Sequence, residues 1–245
     1  MNILITGCNG LIGKTIVKHF SSIDGFKVFG MDVDEKPKIE SKNFNYYRSN
    51  VSSFNDVKEV FNDLKSKNYT ISGLINSHQF KPKGFLNADL FNMELGMWKE
   101  IIDVNLTGTF YTCRIFGEKM KEVGVGSIIN FASTYAVVSS NPSLYNDNSM
   151  GNPIAYSASK GGVISLTQYL ACYLGEFGVR SNCITPHGVI NNHEEEFISN
   201  FSSRSPLKRM MKPEEIIGPV ELLLTNKGSY INGSNLMVDG GWTVW

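Results

Sequence analysis

Asn2-Ile3-Leu4-Ile5-Thr6, followed by Gly7-Cys8-Asn9-Gly10-Leu11-Ile12-Gly13, is the stretch that decides the fold of this chain. The first five residues are mostly aliphatic and suit one short strand, and Leu11–Phe20 repeats apolar residues at helical spacing. Glycines between a strand and a helix let the chain turn tightly, let its backbone approach a pyrophosphate, and let the helix pack on the strand. The helix N-terminus then offers free amides to phosphate oxygens. Spacing alone also suits an ordinary turn. The next strand, Lys27–Met31, leads to Asp32, 32 − 13 = 19 residues beyond Gly13. A carboxylate there accepts both ribose hydroxyls of an adenosine and repels a 2′-phosphate, so NAD(H) is expected over NADP(H). The competing reading is a solvated strand end beside Asp34 and Glu35, with Lys14 and Lys36 as the only nearby cations.

Beyond this stretch, β-rich runs alternate with helical ones. Strands are expected at Phe44–Val51, Ser72–Asn76, Ser127–Ala132, Val179–Thr185 and Asn235–Val238. Helices are expected at Phe54–Leu64, Leu90–Glu122, Ile154–Phe177 and Pro213–Leu224, with Ser77–Asn87 as a loop and Pro186–Arg209 irregular or partly helical. That order predicts an α/β fold of Rossmann type, a doubly wound, mostly parallel seven-stranded sheet with helices on both faces. No composition break or repeat marks a second unit, so 1–245 reads as one dinucleotide-binding and catalytic domain.

Composition narrows the partners. Lys plus Arg equals Asp plus Glu at 23 each, which gives no positive field for a nucleic acid. The N-terminus lacks the pattern of a signal peptide, and no run approaches a membrane span. Cys8, Cys113, Cys172 and Cys183 are widely spaced and read as reduced thiols in a cytoplasmic protein. His19, His78, His187 and His193 form no ligand-spaced cluster, so no metal is expected.

Tyr156-Ser157-Ala158-Ser159-Lys160 places Tyr156 and Lys160 four apart on a helix, sharing a face. Tyrosine normally ionises near pH 10; a nearby ammonium and an oxidised nicotinamide favour the phenolate and bring it into the range of a working base. Such a pair is also common on amphipathic helix surfaces. Ser133 follows the fifth strand, at the carboxyl edge where open α/β sheets bind ligands, and suits either a substrate-holding hydroxyl or a simple cap.

Taken together, these segments resemble the short-chain dehydrogenase/reductase family in its compact, one-domain branch, over almost the whole chain. The resemblance implies catalytic roles for Asn105 (in Asp103-Val104-Asn105-Leu106), Ser133, Tyr156 and Lys160. It implies cofactor contacts from Gly7, Asn9, Gly10, Leu11, Ile12, Gly13, Asp32, Asn50, Val51, Asn76, Ser77, Val104, Tyr156, Lys160, Pro186, Gly188 and Val189. It further implies NAD-dependent hydride transfer between an alcohol and a ketone, with Tyr156 moving the proton and Ser133 bonding the same oxygen. Lys160 would hold the nicotinamide ribose, and Asn105 would position a water by its backbone or side chain. Homodimers or homotetramers through the long helices are implied as well. Asn105 otherwise reads as a polar break in a long helix.

Three features depart from the family pattern. The glycines are spaced as in its longer, nucleotide-sugar-modifying branch, Asn50 stands where an aspartate commonly meets adenine, and Ser77-His78-Gln79 replaces Asn-Ala-Gly. His78 is either a structural polar residue or a substrate contact. Tyr156 follows Ser133 by 156 − 133 = 23 positions, and the stretch between holds Ser139, Asn141, Ser143, Tyr145, Asn146, Asp147, Asn148 and Met150. That loop is either an idle insertion or a wall suited to a polyhydroxylated, sugar-like substrate, as in relatives from surface-sugar pathways. The competing functions are a nucleotide-sugar epimerase or dehydratase, which resembles longer chains, and a catalytically silent NAD-binding module.

Overall fold

The structure is a computed structural model that describes residues 1–85, 88, 90–140 and 154–244. The polar residues Asn141 to Met150 and the terminal Trp245 lie outside the described residues. Seven parallel strands form one sheet in the order β3-β2-β1-β4-β5-β6-β7: β1 (Asn2–Thr6), β2 (Lys27–Asp32), β3 (Phe44–Arg48), β4 (Gly73–Asn76), β5 (Gly126–Phe131), β6 (Val179–Pro186) and β7 (Asn235–Val238). The strand order reverses between β1 and β4, which opens a crevice at the carboxyl edge of the sheet.

Side chains alternate across the strands, so each face packs a different layer. Leu4, Phe29, Leu74 and Ile128 meet α2 (Phe54–Ser66), α4 (Gly108–Val123) and α5 (Ile154–Gly175) through Val57, Phe116, Met120 and Leu174. Ile3, Ile5, Ile75 and Ile129 meet α1 (Leu11–Phe20) and α7 (Ile217–Leu224) through Ile16, Phe20, Val220 and Leu223. Every residue of β4 and β5 is buried, and their polar members Asn76, Ser127 and Asn130 are hydrogen-bonded within the protein.

Two of the differences from the expected extents bear on the site. The long helix expected from Leu90 begins at Leu95, as α3 (Leu95–Ile102), and opens at Asp103–Thr107 into one π-helical turn before α4. A π turn widens the ladder by one residue, and here it carries the buried Asn105 inward, where its side chain joins two other segments. β3 ends at Arg48, because Asn50 turns the chain by accepting from the Ser52 amide at 3.0 Å and the Ser52 hydroxyl at 2.8 Å. The irregular stretch after β6 also contains α6 (Glu195–Arg204).

Candidate active site

The carboxyl edge of the sheet holds a cleft of about 1020 Å³ that runs from Asp32 and Lys38 at one end to Tyr156, Phe201 and Met210 at the other. Its first wall is the glycine loop. Gly7 has φ +66, and a Cβ there would lie 2.5 Å from the His78 Cα, so only glycine lets the loop close on the exit of β4. A Cβ on Gly13 would lie 2.1 Å from the Gly7 carbonyl oxygen, which fixes α1 directly against the loop. Gly10 precedes α1 with no side-chain cap, leaving the amides of its first turn open beside Leu11 and Ile12 in the cleft.

Asp32 braces this wall. Its Oδ2 accepts from the Asn9 amide at 3.0 Å and its Oδ1 from the Val33 amide at 2.8 Å. The Asn9 side chain donates to Asp34 at 3.1 Å and to the Lys36 carbonyl at 3.0 Å, and accepts from the Lys38 amide at 2.9 Å. Sequence proximity named Lys14 and Lys36 as the cations near Asp32; the structure adds Lys38, which borders the cleft and pairs with Asp34 at 2.9 Å. An uncapped helix end, a glycine cradle and a carboxylate at the next strand end fit the pyrophosphate and adenosine ribose of a dinucleotide. Asn50, Val51 and Ser77 border the same stretch.

At the other end, Phe131, Ala132 and Ser133 leave β5, Tyr156 and Lys160 enter from α5, and Pro186, Gly188 and Val189 leave β6. Ser133 caps a short 3-10 turn, its Oγ accepting from the Tyr135 amide at 3.2 Å. Lys160 is buried, donates to the Phe131 carbonyl at 2.8 Å, and stands 6.0 Å from the centre of the Tyr156 ring. Burial pushes its ammonium down to about 8; the Cys183 thiol acts against this and the Lys81 charge adds to it. Lys160 is therefore largely a cation at neutral pH, which favours the phenolate form of a nearby tyrosine. Phe85 meets the Tyr156 ring edge-on at 6.0 Å.

Three residues expected at the site do not border the cleft. Gly13 acts through packing, as above. Asn76 turns inward, donating to Asn130 at 2.8 Å and accepting from Thr112 at 2.8 Å. Asn105 is fully buried; its Oδ1 accepts from the Phe80 amide at 2.9 Å and its Nδ2 donates to Ser159 Oγ at 3.1 Å. Its side chain thus ties the exit of β4 to α5.

His78 is held in the same way. Thr109 Oγ1 donates to the Asn105 carbonyl at 2.8 Å, which leaves it to accept from His78 Nε2 at 3.2 Å, while His78 Nδ1 accepts from Thr6 Oγ1 at 2.6 Å. Burial pushes the ring down to about 3, the Lys160 charge adds to this, and the Val104 carbonyl opposes it. The imidazole is neutral, and both of its nitrogens are engaged within the protein.

Sequence reasoning passed over Lys81, Phe85, Tyr135, His187, His193 and Phe201, all of which border the cleft. His187 lay within the noted Pro186–Val189 segment, and Lys81 within the Lys-Pro stretch read only as a loop. The aromatic residues carry no local signal, because stacking decides their place: His187 lies 4.4 Å from Phe201 and 4.0 Å from Trp242. Thr134 Oγ1 meets His187 Nδ1 at 2.6 Å, whereas the buried His187 Nε2 has no hydrogen-bond partner. Burial pushes this imidazole, too, down to about 3, against the charge of Asp239. Among the described residues no group of His, Cys, Asp or Glu could hold a metal, and no helix is long and apolar enough to cross a membrane.

This architecture has many counterparts. The sequence model of the family described as Enoyl-(Acyl carrier protein) reductase matches residues 9–243. A short chain dehydrogenase from Leptospira borgpetersenii, solved with bound NAD+, superposes with a TM-score of 0.91 at 32% identity, covering 99% of this chain and 92% of that one. Glucose 1-dehydrogenase 2 of Bacillus subtilis is 26% identical over 99% of this chain and 94% of its own length. The 3-oxoacyl-[acyl-carrier-protein] reductase of Buchnera aphidicola is 29% identical over 97% and 95%. The chain belongs to the short-chain dehydrogenase/reductase family. Membership makes it a nicotinamide-dependent oxidoreductase acting on CH–OH and C=O groups.

Proposed function

We propose that the protein transfers hydride between NAD(H) and a secondary alcohol or ketone on a polyhydroxylated substrate, with Tyr156 as its acid–base. The observation that carries this reading is the convergence of Ser133, Tyr156 and a buried, charged Lys160 on one cleft wall, at the far end from Asp32. When bound, the nicotinamide takes a hydride from the carbinol carbon or returns it to the carbonyl. Tyr156 takes the hydroxyl proton as the carbonyl forms and gives it back in the reverse direction. Ser133 holds the same oxygen; its Oγ already accepts from the Tyr135 amide, which leaves its own proton to donate. Lys160 lowers the Tyr156 pKa and holds the nicotinamide ribose. Because the Asn105 side chain is committed to Phe80 and Ser159, its part in a proton path falls to its backbone carbonyl.

NAD(H) is preferred in this reading because the Asp32 carboxylate stands at the strand end and the nearest cleft cation, Lys38, is already neutralised by Asp34. The polar side chains Gln79, Ser133, Asn191 and His193 that border the cleft with Tyr156 support a substrate with several hydroxyls. The exposed, stacked Tyr169 and Tyr173 on α5 and the exposed Phe110 on α4 support self-association through these helices. The reading is tested by following nicotinamide absorbance with a panel of polyols, sugars and hydroxy acids, native protein against Tyr156→Phe. Equal turnover by both proteins sinks it.

A further inference from the structure

In the hydride-transfer reading Ser133 holds its hydroxyl at the reacting oxygen, yet it stands where the sheet has ended. The ladder to β6 runs as far as the Ala132 amide, which donates to the Ile184 carbonyl at 2.9 Å, and the chain then leaves β5 for the short turn Thr134–Ala136. Within the turn, the Tyr135 amide donates to Ser133 Oγ at 3.2 Å and the Ala136 amide to the Ser133 carbonyl at 2.9 Å. The Val137 and Val138 amides each donate to the Thr134 carbonyl at 2.9 Å. These bonds fix the shape of the turn, not its place on the protein. A bond to another segment does that: the buried Thr134 meets the buried His187 at 2.6 Å between Oγ1 and Nδ1, whichever of the two carries the shared proton.

His187 can serve as an anchor because it is fixed independently of the turn. Its amide donates to the Val238 carbonyl at 3.2 Å, which ties its backbone to β7. Its ring packs against Phe201 and Trp242, centre to centre at 4.4 and 4.0 Å, and the Tyr135 ring meets it edge-on at 6.0 Å. Phe201 is seated on the chain beside it: Gly188 has φ +49, and a Cβ there would collide with the Phe201 ring. Trp242 is held by Asp239, whose carboxylate accepts from the amides of Gly241 at 2.9 Å and Thr243 at 3.0 Å. Removing either partner of the Thr134–His187 bond leaves a polar group buried and unsatisfied, and the turn relieves this by moving. A shift of about 1 Å in a substrate-holding group is enough to lower a rate by about a hundredfold.

We propose that His187 is the positioning residue of Ser133: through Thr134 it sets the place of the turn that carries the serine hydroxyl. The proposal rests on the hydride-transfer reading, which gives Ser133 the substrate oxygen, and deepens it. His187→Phe keeps a ring against Phe201 and Trp242 and removes the hydrogen bond. Thr134→Val keeps the branched shape and removes the bond from the other side, whereas Thr134→Ser retains the hydroxyl. Hydrogen exchange read amide by amide needs no substrate. Exchange at Tyr135 to Val138 should quicken at least about tenfold in His187→Phe and Thr134→Val, with Ile128 and Ile129 in β5 within about twofold of native and Thr134→Ser within about threefold throughout. Turnover of D-glucose, galactitol and D-threitol with NAD+ should fall about tenfold in kcat in the first two variants, at an NADH affinity within about twofold of native. Adding His187→Phe to Ser133→Ala should lower kcat by no more than about a further twofold, since a positioning partner costs nothing once the positioned hydroxyl is gone.

Unchanged exchange at Tyr135 to Val138 in both variants, equal quickening throughout β5, or a full loss of about tenfold from His187→Phe on the Ser133→Ala background each overturns the assignment. If the Phe variant does not fold, Thr134→Val decides the same points. Native turnover by Ser133→Ala removes the serine from the hydride-transfer reading and the His187 assignment with it. Tyr156-dependent turnover with unchanged exchange removes the assignment alone. If the native protein turns over none of the three substrates, exchange by itself decides whether His187 anchors the turn.

Discussion

At the Asp32 end of the cleft most of the wall comes from Gly7, Asn9, Gly10, Asp32 and Lys38, within the first 38 residues, with Asn50, Val51 and Ser77 beside them, and backbone amides and carbonyls take part in its contacts. At the Tyr156 end it comes from separate segments after β4, β5 and β6 together with α5 and α6, and its contacts are side chains. A surface made of backbone recognises what every dinucleotide shares, namely pyrophosphate and ribose. A surface made of side chains from distant segments is free to differ between relatives, which suits a substrate pocket.

The largest expected effect divides the two ends. Tyr156→Phe keeps the ring that packs against Phe85 and removes only the hydroxyl, so turnover should fall by roughly 10²–10⁴-fold while NADH affinity stays within about twofold. Steady-state rates beside NADH titration check this; loss of both together would show that the ends are not separable. Gly13→Val breaks the other end instead. Its Cβ would sit 2.1 Å from the Gly7 carbonyl oxygen, and relieving that must move α1 or the loop. A stability loss of about 3 kcal/mol, at the upper end for overpacking, is expected in denaturant unfolding, with NADH binding impaired in the protein that still folds.

Acid should destabilise the fold through two buried imidazoles. His78 and His187 are neutral in the fold, near pKa 3 against an ordinary value of 6.5, so below pH 6.5 the unfolded chain takes up protons that the folded chain refuses. The stability present above that pH is lost progressively toward pH 3. Between pH 7 and 5 the loss is roughly 2 kcal/mol for each ring. Urea midpoints across that range should steepen accordingly, and His187→Gln should flatten the slope by about half; an unchanged slope would contradict its burial as a neutral ring.

The smallest effect sharpens the cofactor end alone. Asp32→Ala should narrow the preference for NAD(H) over NADP(H) by about tenfold, read as a ratio of dissociation constants, with little change at the substrate end. Equal affinity of the native protein for both cofactors would remove Asp32 as the discriminating group.

The sequence by itself determined the strand, glycine loop and helix at the N-terminus, Asp32 at the end of β2, and the placing of Tyr156 and Lys160 on one helix face. These are local facts, set by strand alternation, by helical periodicity and by the few residues that a tight turn tolerates. Only the tertiary structure decided which polar groups face the cleft. Asn76, Asn105 and His78 look alike in sequence as candidate contacts, yet their side chains are consumed by Asn130, Ser159, Phe80, Thr6 and Thr109 from other segments. A buried polar group must find a partner, and whether that partner comes from the protein or from a ligand depends on chain segments far away in sequence.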